Sequence, residues 1–278
     1  MNPHLRAIIR DRFDVDLELD GDGEALNTTL TTMLSRRTHR AYSHVQIPEP
    51  LLNLLIATAL CASSKSDYQQ ATIIKLRDPG KRGRIAALFP SMPWIGKSPE
   101  FLVFCADAHR LERISTMRGH PQNNRDLEAF FNATVDAALV MQTFILAAES
   151  VGLVCCPISA IRNQMETVAK ELALPDGVFP IAGLCLGFPE RGGHISMRLP
   201  PSVTVHTNTY DDSKLEQEVD AYDQRRHARH ATPREKQREP EKFGYADVYG
   251  WSEDKARHQK AREGASFAAW IKSHGFEF

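Results

Sequence analysis

The chain is poor in cysteine chemistry. Its 278 residues hold five cysteines, an odd number with no Cys-x-x-Cys spacing, which favours a reducing cytoplasm over a disulfide framework. The adjacent Cys155 and Cys156 read as small buried hydrophobes at a strand start. Net charge is also nearly absent: 34 Lys and Arg against 35 Asp and Glu leave −1, so no overall field draws the chain to nucleic acid or anionic membrane. No apolar run has bilayer length; the longest, Ala137 to Ala148, is broken by Gln142 and Thr143. Residues 1–20 are charged and lack the apolar centre of a signal peptide. There is no internal repeat, Walker loop, GxGxxG, Ser-His-Asp order or zinc spacing, and His227 and His230 at i, i+3 have no third ligand. No side chain stands out as a general base.

What is present is an ordinary globular composition, 42% apolar and 25% charged, long enough for one large domain or two small ones. Helices are expected over 2–13 and 24–37, joined by an acidic link, Asp14–Glu24, whose calcium-like spacing lacks the closing Glu at Asn27. A periodic helix follows over 48–61, with Leu51, Leu52, Leu54, Leu55, Ile56 and Leu60 apolar. Strands are expected at Ala71–Arg77, Glu100–Ala106, Val154–Ser159 and Ile181–Phe188, with a Gln164–Leu172 helix among them. The longest helix, 128–151, is apolar nearly all round, which predicts burial on most sides in the domain centre or a subunit interface. Gly152 caps it. Tyr222–Lys242 is basic and almost without apolar residues, an arm that is either disordered or folded against something it does not bury. Trp251, Phe267, Trp270, Ile271 and Phe276 supply a packing face for a last helix.

The densest chemistry lies in Ser35-Arg36-Arg37-Thr38-His39-Arg40-Ala41-Tyr42. Three guanidinium groups within five residues repel one another unless an anion sits between them, and their planar forks match the oxygens of phosphate. A basic run alone is commonly a solvated helix end. Later segments add to it in order. Ala62-Ser63-Ser64-Lys65-Ser66-Asp67-Tyr68-Gln69 follows the periodic helix. Val135-Asp136-Ala137-Ala138 and Ala147-Ala148-Glu149-Ser150-Val151-Gly152-Leu153 lie in and after the longest one. Ile158-Ser159-Ala160-Ile161-Arg162-Asn163, Pro180 to Pro189 and Arg198-Leu199-Pro200 complete the series. Over residues 34–225 this ordered series resembles the flavin-dependent nitroreductase family, in its oxygen-insensitive, NADPH-preferring branch.

The resemblance implies an α+β fold, a central mainly antiparallel sheet flanked by helices, in an intertwined homodimer that binds FMN at the interface. It implies hydride transfer from NADPH through FMN to a small-molecule acceptor, a nitroaromatic, quinone or flavin, in alternating half-reactions. Arg36, Arg37 and Arg40 are expected at the FMN phosphate and the N1–O2 edge of the ring, where fixed positive charge favours hydride chemistry. Thr38, Ser64, Lys65 and Ser66 are expected at phosphate and ribityl, and Gln69 at the pyrimidine edge. Backbone N–H groups near Ser159 and Ala160 are expected at N5 or O4, with Pro157 and Ile158 in the same cofactor-binding stretch, while Arg162 and Arg198 are expected to complete the phosphate clamp. In a mobile segment after Tyr222-Asp223, Arg234 is expected on the 2′-phosphate of NADPH, with Arg225, Arg226 and Arg229 as rivals.

Several residues depart from the family pattern. Pro157 replaces an aromatic, Ser159-Ala160 replaces Gly-Gly, Ser196 replaces a Lys, and Met92 stands near an expected Gln. The division expected is a helical arm over 1–33, an FMN-binding domain over 34–221 and a C-terminal polar arm with terminal helix over 222–278. The first of these has no counterpart in the branch and is expected to cover the dimer surface. Reductive dehalogenation, or a non-catalytic flavin sensor or store, are the alternative readings; the second draws on Ser159-Ala160 alone.

Overall fold

The computed structural model describes residues 3–14, 28–121, 125–260, 264 and 266–277. The calcium-like spacing and the acidic link beyond Asp14 lie outside the described residues, as does the expected helix start at 24–27. The chain forms two compact units, one from 1–36 with 194–263 and one from 37–193 with 264–278. The divisions fall after 36, 193 and 263, because each terminal region joins a segment distant in sequence.

The second unit carries an antiparallel sheet of four strands, β1 (Ala71–Lys75), β2 (Glu100–Asp107), β3 (Val154–Ile158) and β4 (Val178–Gly187), in the order β1-β2-β4-β3. The central β2 and β4 are covered on both faces, which is why they read as continuous apolar runs. Gly183 of β4 lies under Phe101, where a Cβ would stand 2.4 Å from the ring Cζ. On β3, Cys155 and Cys156 are buried on opposite faces, as expected of small hydrophobes. The Cys155 carbonyl points away from β4 and accepts the His39 N–H at 3.1 Å. Pro157, two residues on, shares that orientation, so its missing N–H costs no ladder bond.

Six helices flank this sheet with a seventh from the C-terminus: α3 (Glu49–Ala59), α4 (Pro79–Ala87), α5 (Trp94–Lys97), α6 (His109–Met117), α7 (Leu127–Ser150), α8 (Met165–Leu172) and α13 (Phe267–Ser273). Asp126 caps α7 through the Ala129 N–H at 2.9 Å, and at its other end Leu153 N–H returns to the Ala148 carbonyl across Gly152 at φ +81°. By length and composition α7 passes as a membrane span. Its stripe of Ala133, Asp136, Ala137, Val140, Phe144, Ile145 and Ala148 is instead buried in the protein core. The domain centre alone does not bury this helix, since Leu127, Phe131, Val135 and Leu139 are exposed within one chain, Phe131 by 61%. Trp270, Ile271 and Phe276 close the core, with Phe276 edge-on to Phe130 and Phe179.

The first unit holds α1 (Pro3–Phe13), α2 (Thr28–Ser35), α9 (Pro201–Thr204), α10 (Leu215–His230), α11 (Pro240–Phe243) and α12 (Trp251–Gln259). The supposedly unburied arm is thus corrected over its first part to a helix, with two buried anchors. Tyr222, 1% exposed, donates its hydroxyl to the Met197 carbonyl at 3.2 Å. Asp223 accepts the Trp251 N–H at 2.7 Å and the Ser252 N–H at 3.2 Å, placing a carboxylate at the positive start of α12. Gly250 passes so close that a Cβ would meet Asp223 Cγ at 2.2 Å. Trp251 therefore belongs to α12 and not to the packing face of the last helix.

Candidate functional site

Past α3 the chain runs through Ser63 and Ser64 into a 3₁₀ turn, Lys65–Asp67. Ser66, Asp67 and Gln69 all have left-handed backbone, at φ 49°, 58° and 52°, without a glycine. Each such residue costs about 1–3 kcal/mol and persists only where its surroundings force it. The force comes from Asp136 on α7, 1% exposed. Its carboxylate accepts the Ser64 hydroxyl at 2.9 Å, the Lys65 N–H at 2.9 Å and the Gln70 N–H at 3.0 Å. Ser64 Oγ in turn accepts the Gln69 N–H at 2.7 Å. Arg110, paired with Asp107 at 2.7 Å, donates to the Gln69 carbonyl at 2.7 Å. Lys65, Ser66 and Gln69 remain exposed on this pre-formed loop, beside a cavity of about 390 Å³ lined by Ile56, Ala62, Ser63, Gln70 and Thr72.

A second anchoring holds residues 37–43. Besides the His39 bond to β3, Tyr42 donates to the His39 carbonyl at 2.7 Å and Ser43 N–H to the Phe188 carbonyl at 2.9 Å. Burial pushes the Tyr42 phenol far above its ordinary value, so it remains a neutral donor. Arg37 and Thr38 are half-buried, and the exposed Arg40 holds its guanidinium 5.3 Å over the Trp94 ring. The Trp94 indole N–H is buried with no partner among the described residues. β3 delivers Pro157 and Ile158 into a 3₁₀ turn, Ser159–Gln164, where Arg162 donates to the Ile181 carbonyl at 2.5 Å. Ser159 and Ala160 are not among the residues with positive φ, so Gly-Gly is not needed for this backbone.

Arg37, Thr38 and Arg40 thus flank the His39 link to Cys155 of β3, whereas the Ser64–Gln69 loop is fastened to α7 and Arg110. Cations and a hydroxyl brought together on one anchored segment suit an acceptor-rich phosphorylated group such as FMN.

In the first unit Arg36 gives its carbonyl to Arg12. The exposed Arg198 lines a cavity of about 540 Å³ with Phe13, Tyr222, Arg226, Trp251 and Lys255. Of the arm's arginines, Arg225 and Arg229 pair with Asp14 at 3.1 and 2.5 Å, and Arg234 stacks 4.3 Å over Tyr245. Arg226, bonded to the Tyr222 hydroxyl at 3.1 Å, borders the cavity. Sequence reasoning missed Asp136, Arg110 and Arg12 as supporting residues. Only Asp136 had a signal, an acid on the apolar stripe of α7.

The chain matches the family model described as Nitroreductase family over residues 33–188 and its C-terminal domain model over residues 196–278. It is similar to an FMN reductase (NADPH) of Bacillus subtilis, 34% identical over 67% of this chain and 76% of that protein. An oxygen-insensitive NADPH nitroreductase of Salmonella typhimurium is 33% identical over 68% of this chain and 78% of its own length. The fold is similar to a solved NADPH:FMN oxidoreductase of Vibrio harveyi complexed with NAD+, at TM-score 0.78 and 28% identity, covering 90% of this chain and 99% of that one.

Proposed function

The chain belongs to the nitroreductase family, and from that premise we propose that it is an FMN-dependent oxidoreductase passing hydride from NADPH to nitroaromatic, quinone or flavin acceptors. The carrying observation is the set of cations and a hydroxyl, Arg37, Thr38 and Arg40, on a segment bonded to β3 through the His39 N–H and the Cys155 carbonyl. When bound, FMN supplies a ring that accepts and returns hydride, two electrons at a time.

The chain's own residues bind and orient. Arg37 and Thr38 hold the phosphate by charge-assisted hydrogen bonds, and the family resemblance assigns Arg36 and Arg198 to the same anion. Arg40, already placed over an aromatic ring, sets fixed positive charge at the electron-rich edge of the isoalloxazine. Lys65, Ser66 and Gln69 offer polar groups from a loop whose shape is set in advance, and Ser64 holds that shape. Ile158, Ser159 and Ala160 present backbone to the ring, Pro157 shapes their approach, and Arg162 steadies their turn against β4.

The protein acts as a homodimer, for which Leu54 of α3, Leu60 just past its end, and Phe131 and Leu139 of α7 provide exposed apolar side chains. Arg226 with Lys255 takes the 2′-phosphate of NADPH in preference to Arg234, which is engaged with Tyr245. None of the five cysteines is in a disulfide, which supports the cytoplasm as its site of action. A non-catalytic flavin store drew on Ser159-Ala160, whose ordinary backbone withdraws that support.

An anaerobic absorbance titration tests the reading. The expected result is a yellow protein bleached by NADPH and recoloured by a quinone. A colourless protein that FMN cannot reconstitute would overturn it.

A further inference from the structure

The family match starts at residue 33, so α1 is additional to it, yet α1 sends one side chain deep into the first unit. Arg12 is 5% exposed. Its Nε and Nη2 donate to the Leu34 carbonyl at 3.1 and 2.9 Å, Nη2 also to the Arg36 carbonyl, and Nη1 to the Ser196 carbonyl at 2.9 Å. In return the Arg198 N–H donates to the Arg12 carbonyl at 2.7 Å. A single guanidinium therefore ties residues 34–36 to residues 196–198, reaching a carbonyl 184 positions away.

Three consequences follow from elementary chemistry. A peptide is planar and trans, so fixing the Arg36 carbonyl fixes the plane joining Arg36 to Arg37 and directs the Arg37 N–H the opposite way. The guanidinium presents its donors in a rigid fork, so the acceptors it serves are held in a fixed mutual arrangement. Its charge, buried behind both segments, raises the positive potential in which Arg36 and Arg198 act. The strut is itself braced. Arg229 of α10 donates to the Arg10 and Asp11 carbonyls at 3.3 Å, and pairs with Asp14 just past the end of α1.

We propose that Arg12 is a positioning residue for the flavin phosphate, holding the segments of Arg36 and Arg198 in register for one anion. This rests on the reading of those two arginines as phosphate ligands. The test compares FMN with riboflavin, which has the same ring and ribityl chain without the phosphate, by flavin fluorescence on the full-length chain. Arg12→Gln is expected to weaken FMN roughly tenfold, about 1.4 kcal/mol, and to leave riboflavin unchanged. Arg12→Lys, which keeps the charge but not the fork, is expected to fall between, and it carries the test if Arg12→Gln does not fold. Equal losses for both flavins, or unchanged FMN binding, would overturn the proposal. Arg198→Gln separates the two levels. If it leaves the preference for FMN over riboflavin intact, the phosphate reading fails and the strut with it; if it abolishes the preference and Arg12→Gln does not alter it, the strut alone fails.

Discussion

Replacing Asp136 by Asn keeps the shape of the side chain and removes its capacity to accept from three donors. One amide orientation sets an NH2 against the Lys65 N–H, whose bond is part-buried. The other sets it against the Gln70 N–H, whose bond is buried. The first is therefore preferred, and it leaves one donor without its partner, at about 1 kcal/mol for a part-buried group. The bonds that survive lose their charge assistance, roughly another 1–2 kcal/mol together. The total, about 2–3 kcal/mol, opposes a loop that already holds three left-handed residues at about 1–3 kcal/mol each. At about 2 °C per kcal/mol for a chain of this size, the melting temperature should fall by roughly 5 °C. If FMN requires the latched loop, the same energy weakens its binding by roughly 30- to 150-fold. Thermal unfolding followed by circular dichroism and a flavin fluorescence titration read the two effects. An Asn variant that melts with the wild type and binds FMN equally would refute the claim that this carboxylate sets the loop.

Arg226→Gln should raise KM for NADPH about tenfold and leave KM for NADH unchanged, since a phosphate–guanidinium bond is worth about 1.5–3 kcal/mol; equal effects on both nucleotides would return the assignment to Arg234. Hydrogen bonds first from Lys75 and then from Arg77 hold the Glu49 carboxyl down at about 2. A depressed carboxyl stabilises the fold above its ordinary value, 4.5, and loses that contribution as pH falls towards about 2. The melting-temperature difference between wild type and Glu49→Gln should accordingly be constant above pH 4.5 and vanish near pH 2, and a difference that grows on acidification would contradict this. Cys61 is exposed, and burial pushes the Cys185 thiol up to about 12 and Cys105 higher. Ellman's reagent should therefore titrate one thiol in the native protein and five in denaturant, and a second fast native thiol would count against the buried assignments.

The features that sequence made legible are those written in periodicity. The central strands announce themselves as apolar runs, and α7 by its stripe, because burial selects side chains one by one. Periodicity is silent on what covers the other side of α7, so it could not decide between the domain centre and a subunit interface for Phe131 and Leu139. The Tyr222 arm reads as polar because two buried side chains suffice to seat it, and its ion-pair partner Asp14 lies some two hundred positions away. Ser159-Ala160 invited suspicion only because glycine permits many backbones; its replacement says nothing where an ordinary one is used. At the site, the arginine cluster was visible as charge density. The strain of the 66–69 loop was not, because serine, aspartate and glutamine give no warning of left-handed backbone. Asp136 was visible in principle, as an acid at an apolar position of α7. Arg12 was not, because carbonyl acceptors have no sequence signature.

The outer margin of β3 bears on how the protein behaves when crowded. An exposed strand edge offers alternating donors and acceptors on which another chain can pair, the usual beginning of sheet-to-sheet aggregation. Here a newcomer finds the Cys155 carbonyl already engaged by His39, and at Pro157 no hydrogen to accept. The residue that departs from the family at the cofactor stretch thus also acts as a gatekeeper, and a Pro157→Val enzyme would regain an adhesive edge together with its missing N–H.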